Sequence, residues 1–405
     1  MNSSTIVHTD ISKNLCYKDL IKGSLYTALQ HSYAVACWSN PESKSWDIIL
    51  DPEPTLLAEN KTPYLHKLSS GFLIAPFKSN APKYFIQNRV HIQLCNTINS
   101  TAQIGYATIL EEVVQSGLQA KSVSIDSLLP AKEILIESSD YIASVEAAKE
   151  IISETDLQKV VLARSKEQKI NLAHLESVVL NLREQYPLAY VAIFFHPDTG
   201  LWISATPELL LSTDASGTFK TVALAGTQKH DPSVPIRNVS WTHKEIEEQA
   251  LVCRYIINCF KTIRLREYVE QGPRTIQSGN LLHLKTEYTA NTTEVNMHEL
   301  GTTMLQLLHP TSAVCGMPKK PAMDFIEQNE DFDRKLFSGY SGPVNMDKET
   351  ALYVTLRCAQ IHSNAITLYA GAGITADSVA EKEYQETNLK MDVIGKAFSN
   401  LYPTN

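Results

Sequence analysis

The chain has 405 residues, with 36 basic and 44 acidic side chains, a net charge of −8, 43% hydrophobic and 20% charged residues. This is the composition of a core-forming globular protein and excludes a disordered chain. The acidic balance argues against nucleic acid as a partner, since phosphate neutralisation needs a basic face; Lys261, Arg264 and Arg266, or Lys319 and Lys320, are too short and interrupted to supply one. The length predicts two domains or one large one. The N-terminus has no basic segment followed by an apolar run, no stretch approaches the roughly 18 apolar residues of a membrane span, and the seven cysteines form no C-x-x-C pair. A cytoplasmic protein with reduced thiols is the expectation.

In chain order, residues up to about Pro130 alternate short apolar runs with turns: Tyr33 to Trp38, Asp47 to Leu50, Gly71 to Pro76, and Tyr84 to Ile86. Asn40-Pro41 and Asp51-Pro52 punctuate them, and a mostly antiparallel sheet follows from that pattern. No constellation of ionisable residues marks this part, so it reads as scaffold. The character changes at about Ser139. Asp140 is placed to cap an amphipathic helix carrying Val145, Ala148 and Ile151, which leads into a strand from Lys159 to Arg164. A helix over about 172–185 precedes strands at 189–195 and 201–205, and after Thr206-Pro207-Glu208 come strands at 209–212 and 219–225. Helices are predicted around 243–263, 297–308 and 379–399, with strands at 274–286, 351–361 and 364–370. Without a βαβ rhythm, the mixture specifies an α+β fold built on antiparallel sheets.

Two Glu-x-x-Glu pairs lie on predicted helices. Glu245 and Glu248 share one face, as do Glu383 and Glu386, with Lys390 one turn beyond. Two such helices converging would build an all-oxygen site suited to a hard divalent ion; either pair alone is also what an ordinary solvated helix face shows. A di-iron centre is disfavoured, because neither helix has Glu-x-x-His. Before the second helix, Gly371 and Gly373 admit either close approach of a ligand or a tight turn.

Further motifs occur in a fixed order: Lys159-Val-Val-Leu-Ala-Arg164, Ser204-Ala-Thr-Pro-Glu-Leu-Leu210, Leu224-Ala-Gly-Thr227, Lys244-Glu-x-x-Glu248, Leu308-His-Pro-Thr-Ser-Ala-Val-Cys-Gly316, Phe337-Ser-Gly-Tyr-Ser-Gly342, Leu356-Arg-Cys-Ala359, and Ala370-Gly-Ala-Gly-Ile-Thr375 followed by Glu383-x-x-Glu-Thr387. In this order the chain resembles the chorismate-utilising enzymes, and among them the isochorismate synthases. The likeness covers roughly residues 139–398, which it marks as the catalytic region, with 1–138 a sheet-forming part of the same fold. It implies one large domain of two antiparallel β-sheets sandwiched between helices, as in anthranilate synthase component I.

The resemblance also implies roles. Mg²⁺ would hold the ring carboxylate of chorismate, with Glu248 and Glu386 as direct ligands and Glu245 and Glu383 acting through water or behind them. Lys159 would take a proton from the water that adds at C2, and Glu208 would protonate the hydroxyl leaving C4. Arg357 and Lys390 would hold substrate carboxylates. Gly226, Thr227 and Gly371 would line the pocket by their backbone, and His309, Ala313, Phe337 and Leu356 would shape it. Taken singly, Lys159 could be a surface lysine, Glu208 a turn residue and His309 a helix cap. A lysine free in water has a pKa of about 10.4, so a basic Lys159 requires a site that lowers it.

Anthranilate and aminodeoxychorismate synthases use ammonia and show glutamine at the Lys159 position and threonine at the Ala313 position, so both residues point to water as nucleophile and to no obligatory glutaminase subunit. A monomer or weak dimer is expected. Salicylate synthase, which adds pyruvate elimination, and a non-catalytic chorismate-binding subunit are the alternatives; retention of Lys159 with Glu208 disfavours the second. The lack of a fused carrier or lyase domain leans toward menaquinone supply over siderophore synthesis. Three departures from the family pattern stand out: Gln249 where histidine is common, Gln228 where arginine is common, and the serine-containing segment after Phe337.

Overall fold

Among the described residues, strands whose alternate residues are apolar build two large sheets, one of eleven strands and one of nine, in which every strand pair is antiparallel. The computed structural model describes residues 15–59, 61–119, 125–133, 141–278, 281–295 and 297–399, together with the backbone of a strand at Ile6–His8. Asp140, and with it the helix cap and domain boundary read from the sequence, lies outside the described residues.

Period-2 geometry explains the layering. In the strand Tyr190–His196 every residue is buried. Val191, Ile193 and Phe195 join Leu20, Leu182 and Ile394 in a core between the eleven-stranded sheet and its helices, while Tyr190, Ala192 and Phe194 join Trp38, Phe72, Trp202 and Tyr353 in a core between the two sheets. A third core packs the helices His243–Thr262 and Leu300–Leu308 on the nine-stranded sheet. The result is helices, sheet, sheet, helices, the expected sandwich. Segments from the first part of the chain enter both sheets: Ala34–Ser39 pairs with Tyr190–His196, and Gly71–Ala75 pairs with Tyr340–Val344.

The structure departs from the sequence reading in five places, the smallest being that Ile152 and not Ile151 is buried on the helix Tyr141–Glu154. The first part is not all strand, because helices form at Tyr17–His31 and Ala107–Leu118. Their glycines hid them. A Cβ on Gly23 would stand 2.5 Å from the Val113 carbonyl and 2.8 Å from the Gly117 nitrogen, so residues that look like helix breakers let two helices touch. A further helix, Lys319–Asn329, was also unforeseen. Segment 274–286 belongs to a hairpin of two strands, Val269–Ser278 and Leu281–Asn291. Segment 351–361 is two strands in different sheets, Thr350–Val354 and Cys358–Ile361, with Arg357 at φ 45° where the chain crosses over. Among the described residues no helix is long and apolar enough to cross a membrane.

Candidate active site

The chain crosses from the eleven-stranded to the nine-stranded sheet at Pro207–Glu208 and returns at Leu356–Arg357. Side chains at such crossovers belong to neither sheet face, and both Glu208 and Arg357 line one cavity between the layers. Its rim comes from a bulge at Ala225–Gln228, where register slips and Gly226 adopts φ +68°. A Cβ there would lie 3.1 Å from the Glu245 side chain and 3.3 Å from Trp241, so only glycine fits both conformation and space.

Helix His243–Thr262 supplies Glu248 and helix Ala380–Ser399 supplies Glu386 and Lys390, all three lining the same cavity. Glu386 accepts an ion pair from Lys390 at 2.6 Å, and the Lys390 ammonium also donates to the Gly371 carbonyl at 2.8 Å. Glu248 lies 2.8 Å from the ammonium of Lys159, which is fully buried at the start of the strand Lys159–Lys169. Lys244 bonds Glu383 at 2.6 Å. The two carboxylate-bearing helices therefore meet, with a lysine on three of the four carboxylates.

Electrostatics separates these acids. Burial drives the Glu208 carboxyl up to about 7, in spite of Lys159, Arg357 and Lys390, so near neutrality it carries a proton much of the time. Burial acts in the same direction on Glu248, but the charges of Lys159, Lys244 and Lys390 outweigh it and hold that carboxylate below its ordinary value. Glu383 is raised by burial and by Glu386, with Lys244 opposing. One cavity thus holds an acid kept largely neutral and another kept ionised.

Of the residues singled out from sequence, Glu208, Gly226, Thr227, Glu248, Ala313 and Phe337 line the cavity, as do Leu356, Arg357, Gly371, Glu386 and Lys390. Lys159 reaches it through Glu248. Glu383 lies behind the wall, 1% exposed, with one carboxylate oxygen lacking a hydrogen-bond partner. Glu245 turns to the helix start, where it accepts from the Thr242 amide at 2.9 Å and from the Thr242 hydroxyl. His309 is not among the residues lining the cavity: its Nε2 bonds the Pro76 carbonyl at 3.1 Å, and the ring packs edge-on against Tyr340. Gln249 donates to Thr286 Oγ1 at 3.1 Å and to the Ala223 carbonyl at 3.3 Å, tying the helix to the sheet.

The family of chorismate binding enzymes matches residues 79–399. The chain belongs to that family. The isochorismate synthase EntC of Escherichia coli K12 is 29% identical over 273 residues, covering 66% of this chain and 69% of that protein. The vibriobactin-specific isochorismate synthase of Vibrio cholerae is 30% identical over 247 residues, 59% of this chain and 61% of its own length. Among solved structures, the menaquinone-specific isochorismate synthase MenF of Escherichia coli superposes with a TM-score of 0.71 at 19% identity, covering 97% of this chain and 94% of that one. Anthranilate synthase component I of Streptococcus pneumoniae gives 0.64 at 15% identity over 98% and 93%. The last two establish the shared fold.

Two residues of this chorismate-binding enzyme escaped the sequence reading. His283 lines the cavity, 3% exposed; burial and the charge of Arg357 push its pKa down to about 3, so it is neutral. Its Nδ1–H donates to the Gly226 carbonyl at 2.9 Å, which leaves Nε2 a fixed acceptor without a partner. Ser338, 1% exposed at φ 62°, also lines the cavity with an unpartnered hydroxyl. The signal for His283 was an ionisable residue inside the apolar run Leu281-Leu-His-Leu284, and that for Ser338 its place in the motif Phe337-Ser-Gly-Tyr-Ser-Gly342.

The oxygen donors suit a hard divalent cation such as Mg²⁺. Glu248 and Glu386 face one cavity, and Glu383 holds an unpartnered oxygen behind them. Among the described residues no three His, Cys, Asp or Glu side chains stand close enough together to hold a metal ion, and Glu248, Glu386 and Glu383 are each ion-paired to a lysine.

Proposed function

We propose that this enzyme is an isochorismate synthase, interconverting chorismate and isochorismate. The observation that carries the reading is Glu208: a carboxyl inside the cavity, protonated near neutral pH, beside the cations Arg357 and Lys390 that suit a dicarboxylate. Water's oxygen bonds to C2 as the ring double bonds shift toward C4 and the C4–O bond breaks. Lys159, acting as the neutral amine, accepts the proton lost by the attacking water and becomes the ammonium, while Glu208 in its protonated form donates a proton to the departing hydroxyl, so one water enters and one leaves. Microscopic reversibility exchanges these roles in the return direction. Arg357 orients a carboxylate of the substrate from its crossover, and Lys390, fixed by Gly371 and Glu386, takes the other. Glu248 and Glu386 would hold Mg²⁺, with Glu383 supporting them. When bound, that ion neutralises the ring carboxylate and withdraws electron density from the ring. The apolar walls at Leu356 and Phe337 exclude bulk water from the ring.

Product analysis tests the reading. Wild-type protein with Mg²⁺ should equilibrate chorismate and isochorismate from either side without releasing pyruvate as its main product, and Lys159→Gln should abolish the interconversion at pH 7. Salicylate with pyruvate as the main products would make this a salicylate synthase. No turnover in either direction would leave a binding subunit.

A further inference from the structure

The sequence offers Gly373 as a turn residue or a place for ligand to approach, and the structure shows neither. Gly373 lies within the strand Ala365–Ile374, opposite Val161, and is not part of the cavity wall. Its backbone is in a region open to any residue, since it is absent from the positive-φ glycines. Space is what constrains it. A Cβ at this position would stand 2.3 Å from Glu248 Oε1, 3.2 Å from Glu248 Cδ and 2.7 Å from Lys159 Cε. Carbon atoms in proteins do not approach non-bonded neighbours that closely. The two side chains that fill the missing volume are the partners of the 2.8 Å ion pair.

They cannot yield equally. Lys159 is fully buried, and its backbone is held in an antiparallel strand pair opposite Met317. Glu248 keeps 15% of its side chain exposed and has the cavity to move into. Any side chain at 373 therefore expels the Glu248 carboxylate from Lys159 and shifts it relative to Glu386. We propose that Gly373 is a positioning residue: its missing side chain is the slot in which Glu248 is seated against Lys159. The catalytic consequence rests on the proposed roles of Lys159 and Glu248; the steric part does not.

The test uses the full chain carrying Gly373→Ala, Glu248→Ala, or both. In the wild-type background Gly373→Ala should lower kcat for chorismate–isochorismate interconversion about 10²-fold, the scale of a 1 Å misplacement, with a smaller change in KM. Mn²⁺ binding, followed by electron paramagnetic resonance without substrate, should weaken about 10-fold. In urea unfolding, Gly373→Ala should destabilise the wild type more than it destabilises Glu248→Ala, where the two Glu248 contacts are gone and only the one to Lys159 Cε remains. If Gly373→Ala does not fold and the double variant does, the inference stands. Equal destabilisation in both backgrounds, loss of folding in both, or unchanged Mn²⁺ affinity would overturn it. A wild type that makes no isochorismate would sink the proposed function while the unfolding comparison still decides the steric claim.

Discussion

Glu208→Gln separates the catalytic cost of a buried acid from its cost to the fold. Glu208 is 7% exposed, and burial moves its carboxyl from 4.5 to about 7. That displacement corresponds to about 3 kcal/mol between the protonated and ionised folded forms. The sign follows from proton linkage: the folded state binds the proton more tightly than the unfolded chain does. The group therefore loses nothing below its unfolded value near 4.5, and weakens the fold progressively as pH rises through about 7. Glutamine keeps the shape and cannot ionise. In metal-free buffer, urea unfolding should show the variant gaining on wild type by roughly 2–3 kcal/mol between pH 5 and pH 8.5. At the same time kcat should fall by about 10²–10⁴-fold, the usual contribution of a general acid, and wild-type activity should itself decline above pH 7 as Glu208 ionises. A stability difference that does not change with pH would refute the raised carboxyl. A kcat within a few-fold of wild type would refute its role as proton donor.

On the proposed Mg²⁺ site, EDTA, or substituting Glu248→Ala or Glu386→Ala, should abolish interconversion, since the first removes the ion and each substitution removes one of its two carboxylate ligands; full turnover after EDTA would discard the metal. His283→Phe deletes the unpartnered acceptor in the cavity, and the loss of one hydrogen bond should raise KM roughly 10-fold. Because His283 is already neutral, with its pKa near 3, the pH dependence of kcat/KM in that variant should match wild type between pH 5 and 9. A shifted profile would show that His283 titrates in the working range.

The ordered motifs carried most of the cavity lining in one dimension, because each of these side chains sits in a short segment whose spacing is fixed by its own helix, strand or turn. Glu383 and Glu386 share a face through helical period alone, whereas Lys159, which taken singly reads as a surface lysine, is fully buried only because the fold packs around it. The long helices at 243–262 and 380–399 were legible for the same reason. The Tyr17–His31 helix was not, since Gly23 serves a contact with a helix some ninety residues away that no local pattern contains. The orientation of His309 and Glu245 was likewise hidden: the first answers to Pro76 and the second to the helix cap at Thr242.

By itself the sequence determined the class of fold, the two carboxylate helices and the order of residues that places the chain among chorismate-utilising enzymes. These are properties of local periodicity and of short motifs. Only the tertiary structure decided which groups meet and in what charge state. The crossovers that aim Glu208 and Arg357 into one cavity join two sheets, and the burial that protonates Glu208 comes from both. The Lys159–Glu248 pair joins residues 89 positions apart across the space left by Gly373. Desolvation and steric exclusion are sums over neighbours brought in from the whole chain, so they arise only when it has folded.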